Sequence, residues 1–200
     1  MEMDRDAAVI TKKTVFLIAL TLVFAFAVAH ATTGRAIAHP SPELFEIRFL
    51  EATIDHHAMA VEMATLCEQQ AARSELKTLC RTISSTQSQE IEEMQAWLQS
   101  WYEITYEPRM NDADERMINE LERLKGADFD TAFMLEMSTH HRTAIRMASD
   151  ALLLAFHEDL LELATDITAT QGEEIRQMRE WLCDFYEVCK DLDVELTDIS

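Results

Sequence analysis

Residues 45–64 read FEIRFLEATIDHHAMAVEMA, and residues 129–148 read FDTAFMLEMSTHHRTAIRMA. Shifted by 84 positions, the whole of 45–103 aligns with 129–187 without a gap. The first stretch shares Phe45/Phe129, Phe49/Phe133, His56/His140, His57/His141, Ala60/Ala144, Met63/Met147 and Ala64/Ala148. The match continues through Ile83/Ile167, Gln87/Gln171, Glu90/Glu174, Met94/Met178, Trp97/Trp181, Leu98/Leu182 and Tyr102/Tyr186. A gapless match of this length implies duplication, with a pseudo-twofold axis between the halves.

Each copy reads as two helices. Ser41-Pro42-Glu43 supplies a capping hydroxyl, a first-turn proline and an acid at the helix N-terminus. Apolar or small residues then recur at helical period through Phe45, Phe49, Ala52, Ala60, Met63 and Cys67. Ser74-Glu75 is expected to cap the next helix, whose stripe runs Leu76, Leu79, Ile83, Ile91, Met94, Leu98 and Trp101. Lys125-Gly126 reads as a stop before the second copy, which starts at Asp128 and breaks near Phe156. These boundaries predict an all-α protein, a four-helix bundle built from two tandem helical hairpins. The first hairpin is 41–104 and the second 128–189. Residues 105–127 connect them and carry a short amphipathic helix at Met117, Ile118, Leu121 and Leu124. The acidic tail 190–200 is expected to fray.

The chain has 200 residues, 17 Lys+Arg against 37 Asp+Glu, and a formal net charge of −20. That balance opposes a nucleic-acid partner and docking on anionic lipid, and it attracts cations. Hydrophobic residues make up 48%, enough for a core, while only 3 Gly and 3 Pro punctuate the chain, which favours long helices.

Residues 1–31 read as an export signal. Arg5, Lys12 and Lys13 precede an apolar run from Val15 to Ala29, and Ala29-His30-Ala31 offers a small-x-small cleavage site. Thr14 to Ala31 is alternatively long enough for an uncleaved N-terminal membrane anchor. Residues 32–40 form a linker. In either case the body lies outside the cytoplasm, periplasmic or extracellular. A cut after Ala36 would leave Ile37-Ala38-His39 as an N-terminus able to wrap Cu(II). Export also changes the reading of the cysteines, because an oxidising compartment permits disulfides. Cys67 and Cys80 flank the break at Arg73-Ser74 almost symmetrically, so a hairpin there brings them level and a bridge is expected. Cys183 and Cys189 are a second candidate pair. Four buried thiols that only pack are the alternative.

The paired histidines are what packing does not explain. His56 has Met59 three residues on and Met63 seven residues on, and such positions share a helix face. His140 has Met147 seven residues on and Met137 three residues back. Met94 and Met178 on the following helices are expected to approach the same level. Imidazole and thioether together, without carboxylates, suit Cu(I), and Ag(I) by analogy, better than Mg, Ca or Mn. A di-iron site needs Glu-x-x-His on two helices. The residues three before each histidine of the pairs are Thr53, Ile54, Met137 and Ser138, none of them acidic. Glu90, Glu174, Gln87 and Gln171 are candidates to orient the imidazoles. No GxSxG, HExxH or phosphate-binding glycine loop occurs, so no enzymatic constellation is identified. His157, near the second hairpin turn, reads as exposed. In the competing reading the protein is a structural or partner-binding module, with the histidines in a buried hydrogen-bond network and the methionines as core filler.

The pattern Phe49…His56-His57-x-x-Ala60-Val61-x-Met63-Ala64, followed by Ile83…Gln87-x-x-Glu90-Ile91-x-x-Met94-x-x-Trp97-Leu98, resembles the domain-of-unknown-function 305 family. The second copy, Leu124-Lys125-Gly126-Ala127-Asp128-Phe129-Asp130…Met137-x-x-His140-His141-x-x-Ala144-Ile145-x-Met147-Ala148, resembles it further. The resemblance covers about 45–187. It implies a ferritin-like bundle in an exported protein, and some similar proteins bind copper or silver in the periplasm through Met and His. Members usually carry Met shortly before the His pair. The first copy has Ala52 and Thr53 there and the second keeps Met137, so the second half-site is expected to be the tighter. The combined reading is a non-enzymatic, extracytoplasmic copper binder that prefers Cu(I). One half-site holds His56, His57, Met59 and Met63, the other Met137, His140, His141 and Met147, with Met94 and Met178 completing them.

Overall fold

The computed structural model describes residues 41–189, all within one compact unit. The expected signal or anchor (1–31), the linker (32–40) with its Ile37-Ala38-His39 motif, and the acidic tail (190–200) lie outside the described residues. Among the described residues there are five helices and no strand: α1 (Pro42–Gln70), α2 (Ser74–Tyr102), α3 (Asp112–Arg123), α4 (Gly126–Leu154) and α5 (Glu158–Tyr186). The bounds of α4 and α5 repeat those of α1 and α2 84 positions later, and all four helices have 29 residues. None of the described helices is long and apolar enough to cross a membrane.

Local chemistry sets the ends. Ser41 Oγ accepts from Leu44 N at 3.3 Å, and Pro42 needs no partner for an amide hydrogen it lacks. α2 and α5 stop alike: Glu103 and Glu187 take the left-handed conformation at φ 59° and 60°. The next amides, Ile104 N and Val188 N, then reach back to Leu98 O and Leu182 O at 3.0 Å, closing each helix end through a left-handed residue without glycine. α3 begins with a complete capping box between Asn111 and Asp114. Gly126, at φ 61°, opens α4 rather than closing the connection, so the helix begins two residues earlier than the Lys125-Gly126 stop suggested.

α1 packs on α2, α4 on α5, and α1 on α4. Two apolar cores result. One joins Cys67, Ala71 and Leu76 around the α1–α2 turn to Phe129, Phe133 and Leu182. The other joins Phe49, Leu50 and Leu98 to Ala148, Ala151 and Leu160. The start of α1 therefore meets the end of α4 and the reverse, so the two helices run antiparallel. Disulfides link Cys67 to Cys80 and Cys183 to Cys189. Cys67–Cys80 spans 13 positions, and a bridge over a loop of about that length restricts the unfolded chain by about 3 kcal/mol.

The turns are closed from across the α1–α4 contact. Arg73 and His157, the residues before α2 and α5, provide no side-chain cap. Ser74-Glu75 does not provide one either: Ser74 Oγ bonds to Glu75 instead. Asp130, fully buried on α4, accepts from Ala72 N at 2.8 Å, Arg73 N at 3.1 Å and Tyr186 OH at 2.6 Å. Glu46, equally buried at the equivalent point of α1, accepts from Phe156 N at 2.7 Å and His157 N at 3.0 Å. It also accepts from Tyr102 OH and from His157 Nδ1 at 2.6 Å. Burial pushes the Glu46 carboxyl up, but these hydrogen bonds from Tyr102, His157 and Phe156 together hold it below the usual carboxylate range. Each half thus caps the other.

Replacing Asp130 with Ala strands two turn amides and the Tyr186 hydroxyl. The expected loss is about 2–4 kcal/mol in urea unfolding. A loss below about 0.5 kcal/mol, the ordinary surface value, would show that the capping carboxylate is dispensable.

Candidate soft-metal centre

His56 and His140 occupy the middle of α1 and α4, between the two apolar cores. Their rings stack with centroids 3.6 Å apart at 30°. His57 and His141 are fully buried beside them, and each faces the helix that follows its own. His141 Nε2 donates to Glu174 Oε2 at 2.7 Å. His57 Nε2 lies 2.8 Å from Glu90 Oε2, at ion-pair distance but outside hydrogen-bond geometry. Gln87 and Gln171 are buried one turn before those glutamates. A polar layer therefore crosses the interior at mid-length.

That layer is not self-satisfied. Among the described residues, buried side-chain atoms without a hydrogen-bond partner include His56 Nδ1, His57 Nδ1, His141 Nδ1 and both ring nitrogens of His140. Both amide atoms of Gln87, Gln171 Oε1 and Thr53 Oγ1 join them. Buried polar groups are ordinarily paired, so a cluster of orphans is exceptional. With Nε2 donating to Glu174, Nδ1 is the His141 nitrogen left in the layer without a partner.

Electrostatics keep the stacked pair neutral. Burial, then the neighbouring His57 and His141, lowers His56 to about 3. Burial, then His56, His141 and His57, holds His140 well below the usual imidazole range. The His56 backbone pulls His140 the other way without reaching hydrogen-bond geometry. At neutral pH neither ring must shed a proton to offer one nitrogen lone pair to a metal ion.

The methionines divide by core rather than by repeat. Met59, Met63, Met137 and Met178 lie in one core, joined by Met134, which the sequence reading passed over. Met94 lies in the other core, with the half-buried Met147 packed against it. Since α1 and α4 are antiparallel about the His56–His140 stack, Met59, a turn after His56, and Met137, a turn before His140, fall on the same side of it. At the same spacing on the opposite side stand Thr53 and Thr143. No group of three or more His, Cys, Asp or Glu able to hold a metal ion occurs among the described residues. His157 corrects the expectation of an exposed ring: it is half-buried, bonded to Glu46 and stacked on Trp101 at 3.9 Å. The cue was the repeat itself, which aligns Glu46 with Asp130 and Tyr102 with Tyr186.

The model of the Domain of unknown function (DUF305) family matches residues 46–182. The chain belongs to the DUF305 family. No curated protein matches it. Among solved structures it is similar to CopM, at 32% identity over 70% of this chain and 97% of CopM. CopM is known in Cu(I)-bound, Ag-bound and Cu(II)-bound forms, with TM-scores of 0.64, 0.63 and 0.65. A DUF305 fragment from Deinococcus radiodurans is 25% identical, with a TM-score of 0.62, over 72% of this chain and 98% of the fragment.

The low imidazole pKa values make a sign-definite expectation for this DUF305 protein without metal. The unfolded chain binds protons near pH 6.5 while the folded His56 and His140 do not, so stability falls as pH drops below about 6.5. Each ring contributes a slope of about 1.4 kcal/mol per pH unit down to its folded value. Denaturant unfolding between pH 7 and 5 reads this slope, and His56→Gln with His140→Gln should flatten it. A pH-independent stability across that range would contradict the neutral, buried pair.

Proposed function

We propose that this protein is an extracytoplasmic, non-enzymatic binder of a soft monovalent cation, Cu(I) with Ag(I) as its analogue. It would sequester, buffer or hand on the ion. The observation that carries the reading is the set of orphaned imidazole nitrogens in a polar layer between two apolar cores, with Met59 and Met137 a turn away in one core. Nitrogen and thioether donors favour Cu(I) over hard cations. With all four cysteines in disulfides, methionine is the soft donor left. The likeness to CopM, whose structures hold copper and silver, supports the same reading.

The fold we read behind the site is a ferritin-like four-helix bundle made by duplication of a helical hairpin. The equal helix lengths, the recurring left-handed Glu103 and Glu187, and the reciprocal Glu46 and Asp130 caps favour it. In this reading the ion sits on the sulfur-rich side of the stack, held by His56, His140, Met59 and Met137, with Met63 and Met178 in the same core. Glu90 and Glu174 orient His57 and His141. Met94 and Met147 border the weaker, threonine side. Selectivity then follows the core rather than the half of the repeat. The apolar run before residue 32 supports export of the domain. The competing hydrogen-bond-network reading accounts for the His141–Glu174 bond but leaves both His140 nitrogens unexplained.

Competition of the reduced ion with a chromogenic Cu(I) chelator tests the proposal. His56→Gln with His140→Gln should weaken binding at least about tenfold, the loss of about 1.4 kcal/mol or more. Saturating Cu(I) at about 100 times Kd should stabilise the native chain by about 2.7 kcal/mol. Unchanged affinity and stoichiometry in a folded double variant would remove the assignment.

A further inference from the structure

A surface cleft of about 370 Å³ has His56, one residue of the stacked pair, together with Met59 and Met110 among its lining residues. Met110 belongs to the connection between α2 and α3 and is 40% exposed. Its position is built, not incidental. Asp55, on α1 beside His56, accepts from Tyr106 OH at 2.8 Å and from Arg109 N at 2.8 Å. Gln95 Nε2 donates to Tyr106 O at 2.8 Å, and the Asn111–Asp114 capping box fixes the residues that follow. Met110 is thus pinned from both sides beside the one ring of the stack that the cleft reaches.

Soft donors line this cleft. Both Asp55 oxygens and Asp114 Oδ2 accept hydrogen bonds from the connection. The Arg109 guanidinium lies over the Tyr106 ring, 5.1 Å from its centroid. The soft donors among the lining residues are the Met110 sulfur, the Met59 sulfur and His56, whose buried Nδ1 lacks a hydrogen-bond partner. We propose that the cleft is the loading port of the centre, where Met110 binds Cu(I) or Ag(I) together with His56 and Met59 before the ion passes to His140 and Met137. This rests on the soft-metal reading above. Passage is a ligand exchange: the bond to Met110 sulfur breaks as one to His140 nitrogen forms, and the ion keeps its oxidation state.

Ag(I), which avoids copper redox chemistry, tests the port in the full chain. Trypsin cutting after Arg109 and Arg116 releases a peptide whose one methionine is Met110, so its conversion to sulfoxide by hydrogen peroxide can be followed by mass spectrometry. With His140→Gln and Met137→Leu blocking passage inward, Ag(I) stays at the port and should slow that oxidation several-fold, and adding Met59→Leu should abolish the protection. If Ag(I) raises the melting temperature of the native chain but Met110 of the blocked variant oxidises at its metal-free rate, the port is wrong and the buried centre stands. Protection that survives both Met59→Leu and His56→Gln would also overturn the shared site. If Ag(I) neither protects Met110 nor stabilises the fold, both proposals fall.

Discussion

The structure depends on a polar layer held inside an apolar body. Two neutral imidazoles stack at mid-length, and several of the surrounding nitrogens and amide atoms have no partner. Each such group costs on the order of 1–3 kcal/mol relative to a paired one. A fold that keeps this arrangement must hold it open against collapse or rearrangement. The cores on either side do so by packing, and the turns do so by reciprocal capping. Glu46 and Asp130 are placed so that α1 closes the α4–α5 turn while α4 closes the α1–α2 turn. The α1–α4 interface that carries the histidines is therefore clamped at both ends.

Much of this was legible in the residues. Helical periodicity and the scarcity of Gly and Pro anticipated the all-helical class. The symmetric placement of Cys67 and Cys80 about a break anticipated their pairing. What escaped was long-range. Ser74 looked like a cap because capping is usually local, yet the cap comes from Asp130, remote in sequence. His157 looked exposed because turn residues usually are, yet Glu46 and Trp101 hold it. The methionines were sorted by repeat, whereas an antiparallel crossing groups a residue after one histidine with a residue before the other. That grouping depends on which helix pair forms the interface, and a stripe on a single helix does not state it.

The same asymmetry gives the site its character. A perfect repeat would place the same donors on both faces of the imidazole stack. Met59 and Met137 stand on one face, and their equivalents Thr143 and Thr53 stand on the other. The two copies of the repeat thus differ so that sulfur is concentrated on one side, where Met63, Met134 and Met178 also lie. In an oxidising compartment that arrangement has a chemical advantage, since thioethers do not form disulfides and neutral imidazoles do not compete with protons at ordinary pH.

X-ray absorption at the copper edge of the Cu(I)-loaded protein tests the central claim most directly. The account predicts a first shell mixing nitrogen and sulfur, with the sulfur contribution reduced when Met59 and Met137 are both replaced by Leu. A shell of oxygen and nitrogen alone, unchanged by those substitutions, would contradict it.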